Sequence, residues 1–308
     1  MRWALAVLAV LLAAASPAAA QDFSREASGA AELQVMCNAD GGRLWGESLC
    51  GPLLVIAADG QVWASEQGPS GGLRRQPQGG WAGVLPSGIT PADWAGSRWT
   101  IVTAPLPTDA AQRRVLLGAA AWRRIGGALG LPAAQGPATH LNTERGRLLL
   151  RLEMRALATA MLSRARARAD AARDALVFRM LRWTEMPGAA AAEAAIDRDL
   201  GLAAYTGVRL GVADNPEIFA ARTLDQYDRR QNLGRTYAAA TGPAYGLLLD
   251  ETAPGWRGQL GQHAPADLLV SPLRAAPVSG RELERAMERY GGSAIAAEER
   301  ARSALTPP

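Results

Sequence analysis

Two histidines, His140 and His263, are the only imidazoles in this chain, and no HxH or HxxxH pair can be made from them. A tight zinc site needs several N, S or O donors around one ion, so here it would have to be gathered from scattered positions. Both histidines fall in predicted loops, where a lone His is an ordinary surface residue. The absence of lysine excludes Schiff-base and Ser-Lys chemistry. No G-x-S-x-G elbow occurs, and the pairs Gly41-Gly42, Gly71-Gly72 and Gly291-Gly292 lack the strand-to-helix setting of a phosphate loop. One carboxylate stands out: Glu153, inside the apolar run LRLEMRAL, must find a partner if it is buried. Arg123 is one candidate partner, and pairing of each residue along its own helix is the other. A hydrolase with a nonstandard site would be built from Glu153, His140 and Tyr205.

The element that must position any such site is the stretch 109–131, DAAQRRVLLGAAAWRRIGGALGL. Val115, Ala119, Trp122, Gly126 and Leu129 recur at the spacing of one helical face, which predicts an amphipathic helix with that face buried. Asp109 suits the positive end of the helix dipole, and Gly130 followed by Pro132 stops the helix.

Within it, LLGAAAWRRIGGALGLP resembles the site helix of bacterial exported gluzincin-like proteins, HExxH zinc metallopeptidase-like, in which LLAHExxHRI is followed by ALGLP. On that pattern Ala119 and Arg123 stand where the two His would be, and Ala120 stands where the general-base Glu would be. A second segment, DLGLAAYTGVRLG at 199–211, is similar to the EGLAEYTG helix that brings a third ligand in such families. Leu200 occupies the ligand position and Ala204 the later acidic one, while Gly201, Leu202, Ala203, Tyr205, Thr206 and Gly207 keep the apolar and small frame. The resemblance covers the middle two-thirds of the chain. It implies a pseudo-metallopeptidase with no catalytic residue intact and zinc, the cofactor of the family, absent. Trp122, Glu153 and Tyr205 are the candidate pocket residues beside those positions. The partner is unknown; a peptide or an envelope protein held in the old cleft is one possibility, and a structural or envelope-binding module is a further reading.

Composition bounds the rest. Nearly half of the 308 residues are apolar and the net charge is +4, so the chain can bury a sizeable core. Its arginines alternate with Asp and Glu on predicted helix faces, which reads as a solvated surface and not as a nucleic-acid footprint. Residues 1–20 carry a basic start, an apolar run and Ala18-Ala19-Ala20 before Gln21, the pattern of a secretory signal peptide cleaved after Ala20. That places the mature chain in the periplasm or outside the cell, not spanning a membrane. In such a compartment Cys37 and Cys50 predict one disulfide, worth about 3 kcal/mol in the chain-entropy model.

In order along the chain, residues 21–32 read as a loose arm or short helix, with strand signals from Leu33 onward. Asp59-Gly60 between two apolar runs predicts a hairpin over 52–66, and strands follow at 81–85 and 98–104. Trp45, Trp63, Trp81, Trp94 and Trp99 belong to this part, either as sheet core or as a sugar-binding face. Helices are expected at 143–163, from the end of the charged run RARARAD to Trp183, at 189–206, at 216–231, from Gly242-Pro243 to Asp250, and at 281–305. The fold class that follows is α+β, a small N-terminal antiparallel sheet (21–106) packed on a mainly helical zincin-like part (107–308) within one globular unit.

Overall fold

In the computed structural model, which describes residues 22–68, 72–85, 90, 94, 99–131, 133–261 and 263–305, the chain opens on a helix, α1 (Ser24–Asp40). The apolar residues from Leu33 read as strand onset, yet Gly29, Leu33, Met36 and Cys37 are the buried face of that helix. Their spacing is helical, not alternating, so the helix alternative for residues 21–32 holds and runs on through the expected strand onset at Leu33. The signal-peptide reading at 1–20 lies outside the described residues. Cys37 and Cys50 form the expected disulfide, with Cα atoms 5.1 Å apart. No helix among the described residues is long and apolar enough to cross a membrane.

The hairpin forms as expected: β1 (Leu53–Ile56) and β2 (Gln61–Ala64) flank Asp59-Gly60, and Gly60 takes φ 83°. With β3 (Arg74–Arg75), β4 (Trp81–Val84) and β5 (Thr100–Thr103) they make a five-stranded sheet of order β3-β4-β2-β1-β5. Its pairs are antiparallel except β1–β5, which run parallel with Leu53 opposite Thr100 and Ile56 opposite Thr103. The sheet is therefore mixed, which corrects the expected antiparallel one. Residues 85–99 are long enough to carry the chain back across the sheet before β5 begins. Leu53, Val55, Trp63 and Val102 face the helical core, while Leu54, Val62, Trp94 and Trp99 form a smaller cluster on the other side. Trp45 leaves the sheet altogether and packs against Trp122, Tyr205 and Trp256. Of the five N-terminal tryptophans, Trp63, Trp94 and Trp99 are buried and Trp45 and Trp81 half-buried, as core packing requires.

The helical part begins with α2 (Ala110–Gly126), capped by Asp109, whose carboxylate accepts the Gln112 N–H at 2.8 Å. Its most buried side chains are Leu117, Ala121, Trp122 and Ile125, a face rotated slightly from the expected one, and Val115 and Ala119 lie at its edge. After a short 3-10 turn (Thr139–Asn142) come α3 (Glu144–Leu162) and α4 (Ala165–Glu185), the latter including the charged run that was expected to precede it. Helix α5 (Ala189–Ile196) passes through a π turn (Asp197–Gly201) into α6 (Leu202–Gly211). Then follow α7 (Pro216–Asp228), α8 (Ala238–Thr252), α9 (Pro265–Val270), α10 (Gly280–Arg289) and α11 (Gly292–Leu305). Pro243 sits inside α8 instead of starting it. The terminal helix expected in one piece is broken at Gly291, whose φ of 78° no continuous helix accommodates.

Helix α2 makes its most extensive packing with α6. A Cβ on Gly118 would come within 3.0 Å of Gly207 Cα, and one on Gly211 within 2.7 Å of Val115 N. A Cβ on Gly207 would overlap the Val115 carbonyl oxygen outright. On its other side the π turn and α6 meet α8, where Gly242 lies against Gly201 of the turn and Gly246 against the Tyr205 ring of α6. Gly207→Ala is therefore expected to destabilise by about 3 kcal/mol or more, because backbone and not a flexible side chain must move. Gly127→Ala, with open space around it and a helical φ of −62°, is expected to be neutral or slightly stabilising. Urea unfolding of the two variants measures both.

Candidate functional site

A cleft of about 800 Å³ opens between β5, α2, α6, α7 and α8. From α2 it takes Asp109, Gln112, Val115, Leu116, Ala119, Ala120 and Arg123, which share one helical face. From the π turn and α6 it takes Leu200, Ala203, Ala204 and Val208, and from α8 Ala239 and Pro243. Its far wall is Phe219, Arg222, Thr223, Gln226, Tyr227 and Arg230, again one helical stripe, running along α7 and just past its end. Ile101, Val102 and Thr103 of β5 complete the rim.

The five positions singled out from the two motifs, Ala119, Ala120, Arg123, Leu200 and Ala204, all line this one cleft. The contact of α2 with α6 brings them together. Their side chains do not suit a metal: methyl and isobutyl groups have no donor, and a guanidinium repels a cation. Among the described residues no group of three or more His, Cys, Asp or Glu could hold an ion. Arg123 is half exposed, and its nearest carboxylate is Asp199, 3.8 Å from Nε. Asp199 also accepts the Ala134 N–H at 3.0 Å, tying the loop after α2 to the π turn.

Trp122, Glu153 and Tyr205 do not line the cleft. Trp122 is 1 % exposed and packs edge-on to Trp45. Tyr205 is fully buried behind the floor, where its hydroxyl donates to Asp250 at 2.7 Å and Arg257 bonds the same oxygen. Burial raises the Tyr205 phenol well above its usual value, and the Asp250 charge adds to this. Thr206 accepts the Trp45 indole N–H at 3.0 Å. The frame residues of the second motif thus serve packing and buried hydrogen bonds.

Glu153 does not meet Arg123, because α3 packs chiefly on α4 and α7 and not beside α2. Its partners come from α4 and α8: Arg179 Nε at 2.9 Å, Arg182 Nη2 at 2.6 Å and the Tyr245 hydroxyl at 2.7 Å. Arg182 continues to Glu193 at 2.6 Å, which also receives Trp183 Nε1 at 3.0 Å and faces His140 Nε2 at 2.6 Å. Arg179 reaches Asp197 in the π turn, which accepts the Tyr237 hydroxyl at 3.1 Å. His140 is thus an interior residue and not the expected surface one, while His263 is exposed. Glu153 and His140 share this network, but Tyr205 belongs to the Asp250 cluster, so the proposed hydrolytic trio is not assembled.

Three carboxyl groups in the network face two arginines, all nearly or wholly buried. For Glu193, burial would raise the carboxyl, but Arg182 outweighs it and holds the group below the usual carboxylate range. Asp197 is the surplus acid: burial pushes it up to about 6 despite Arg179. Chemically, the network is a structural clamp on the π turn, in which each carboxyl group accepts at least two side-chain hydrogen bonds.

The cleft residues Arg222, Arg230, Ile101 and Thr103 were not singled out from the sequence. The i, i+3, i+4, i+7 spacing of Phe219, Arg222, Thr223 and Gln226 carried the signal, but it does not say which face meets a cavity. Compared with known protein families, characterised proteins and solved structures, the chain matches none.

Because the folded Asp197 value lies above its ordinary 3.8, the stability it supports is present below about pH 4 and lost as pH rises to about 6. Asp197→Asn supplies a neutral stand-in at every pH. Relative to the natural protein it is expected to gain about 2–3 kcal/mol between pH 4 and pH 6. Urea unfolding at stepped pH reads this, and a difference that stays flat would place the surplus proton elsewhere.

Proposed function

We propose that this chain is an exported zincin-like protein, a pseudo-metallopeptidase, whose cleft holds an extended peptide where an active relative would hold zinc and substrate. The observation that carries this reading is the convergence of residues 119, 120 and 123 of one helix with 200 and 204 of another on a single cleft. Those are the positions at which the resemblance puts the ligands and the general base, and none of their side chains can serve as either. Export is supported by the pattern of residues 1–20 and by the Cys37–Cys50 disulfide.

The peptide mode follows from β5. It is the terminal strand of the sheet, and Thr100 and Ala104 donate to Pro52 and Ile56 on the β1 side. By alternation, the backbone groups of Ile101 and Thr103 point away from β1, toward the cleft rim. An edge that pairs with no other strand among the described residues, beside an apolar floor, can accept an extended segment by strand addition, the backbone giving affinity and the floor taking alternate side chains.

Two experiments test this. Thr103→Pro removes an outward N–H without breaking a bond to β1, so binding of an extended peptide should weaken tenfold or more with the melting temperature unchanged. Fluorescence anisotropy and a thermal melt read the two quantities; unaltered binding would place the peptide elsewhere. For the scaffold, the natural protein is expected to retain no zinc after purification. The combined variant Ala119→His, Ala120→Glu, Arg123→His and Leu200→Glu is expected to take up one equivalent, measured by metal analysis. Failure of a folded variant to gain zinc would sink the zincin-like assignment.

A further inference from the structure

We propose that the segment held in this cleft is acidic, the inference resting on the peptide-binding reading above. Three guanidinium groups line the cleft, Arg123, Arg222 and Arg230, against one carboxylate, Asp109. Asp109 is engaged as the cap of α2, where the helix dipole offsets part of its charge. Arg123 has only a loose partner, Asp199 at 3.8 Å.

Arg222 and Arg230 make no ion pair among the described residues, and both are exposed. This sets them apart from the arginines that build the fold. Arg151 is bonded to Asp228, Glu298 and Glu299, Arg113 to Glu32, and Arg182 to Glu153 and Glu193. Arg222 and Arg230 stand on the same stripe of the α7 wall, and Arg230 lies 3.7 Å over the Tyr227 ring, which holds its flat guanidinium against the wall. Planar donors without an ion pair on one wall of the cleft whose rim is the terminal strand β5 suit carboxylate side chains projecting from an added strand. An extended chain sends every second side chain to the same face, so an acidic residue at alternate positions presents all its charges to that wall.

The test uses the disulfide-intact protein and three end-capped, fluorescently labelled peptides in which valine alternates with Glu, Gln or Lys. At about 50 mM salt the Glu peptide should bind about tenfold more tightly than the Gln peptide, and the gap should close near about 500 mM. The double variant Arg222→Glu and Arg230→Glu, both surface changes whose folding a thermal melt checks, should transfer the preference to the Lys peptide. Equal binding of the Glu and Gln peptides would overturn the charge assignment and leave the peptide reading standing. No binding of any peptide would overturn both. Displacement of the Glu peptide by inorganic polyphosphate as readily as by unlabelled Glu peptide would make the arginines a general anion surface and also overturn the proposal.

Discussion

Between α2 and α6 the backbones touch, because Gly118, Gly207 and Gly211 present no side chain at the crossing. With helix axes this near, residues on the adjoining faces converge within a few ångströms of one another, and the methyl-sized Ala119, Ala120, Ala203 and Ala204 then leave a hollow instead of filling it. The same contact presses Val115 against α6 and turns the outer face of α2 toward β5. Larger residues at the three glycines would spread the helices, and the floor of the cleft would cease to be continuous.

The second constraint is electrostatic. The π turn that carries Leu200 to the cleft is held from behind by Arg179 and Arg182, which bind Asp197, Glu193 and Glu153 in a wholly buried network. Such a network adds little net stability, since the desolvation of each charge offsets much of the attraction. Its effect is on geometry: each acid can be satisfied in only one arrangement of α3, α4, α5 and the turn. A π turn in that place, where one extra residue re-aims the chain, turns Leu200 toward the cleft. A comparable cluster, Arg147, Arg151 and Arg155 with Asp228 and Glu299, fastens α11 and the end of α7 to α3. The far wall of the cleft is thereby fixed in its turn.

Much of the local structure was legible in the residues. The hairpin at Asp59-Gly60, the Asp109 cap, the course of α3 with Leu149, Leu152 and Ala156 inward, and the disulfide all follow from spacing and turn chemistry. The misreadings share a cause. Leu33 to Cys37 was assigned by residue type where periodicity was the better guide, and the parallel pairing of β5 depends on a crossover that no local pattern encodes. For the site, the five positions singled out from the two motifs lie along one cleft, which only the packing of α2 on α6 makes.

Sequence alone determined which side chains stand at the positions singled out. Alanine, arginine and leucine stand at those positions and the chain has only two histidines, and side-chain identity does not depend on where the chain goes. Tertiary structure alone decided the partnerships. Glu153 meets Arg179 and Arg182 instead of Arg123, His140 is drawn in against Glu193, and Arg222 and Arg230 stand on a cavity wall without an ion pair among the described residues. The reason is that a helical pattern specifies which residues share a face but carries no information about which other face, or which solvent-filled gap, that face will meet.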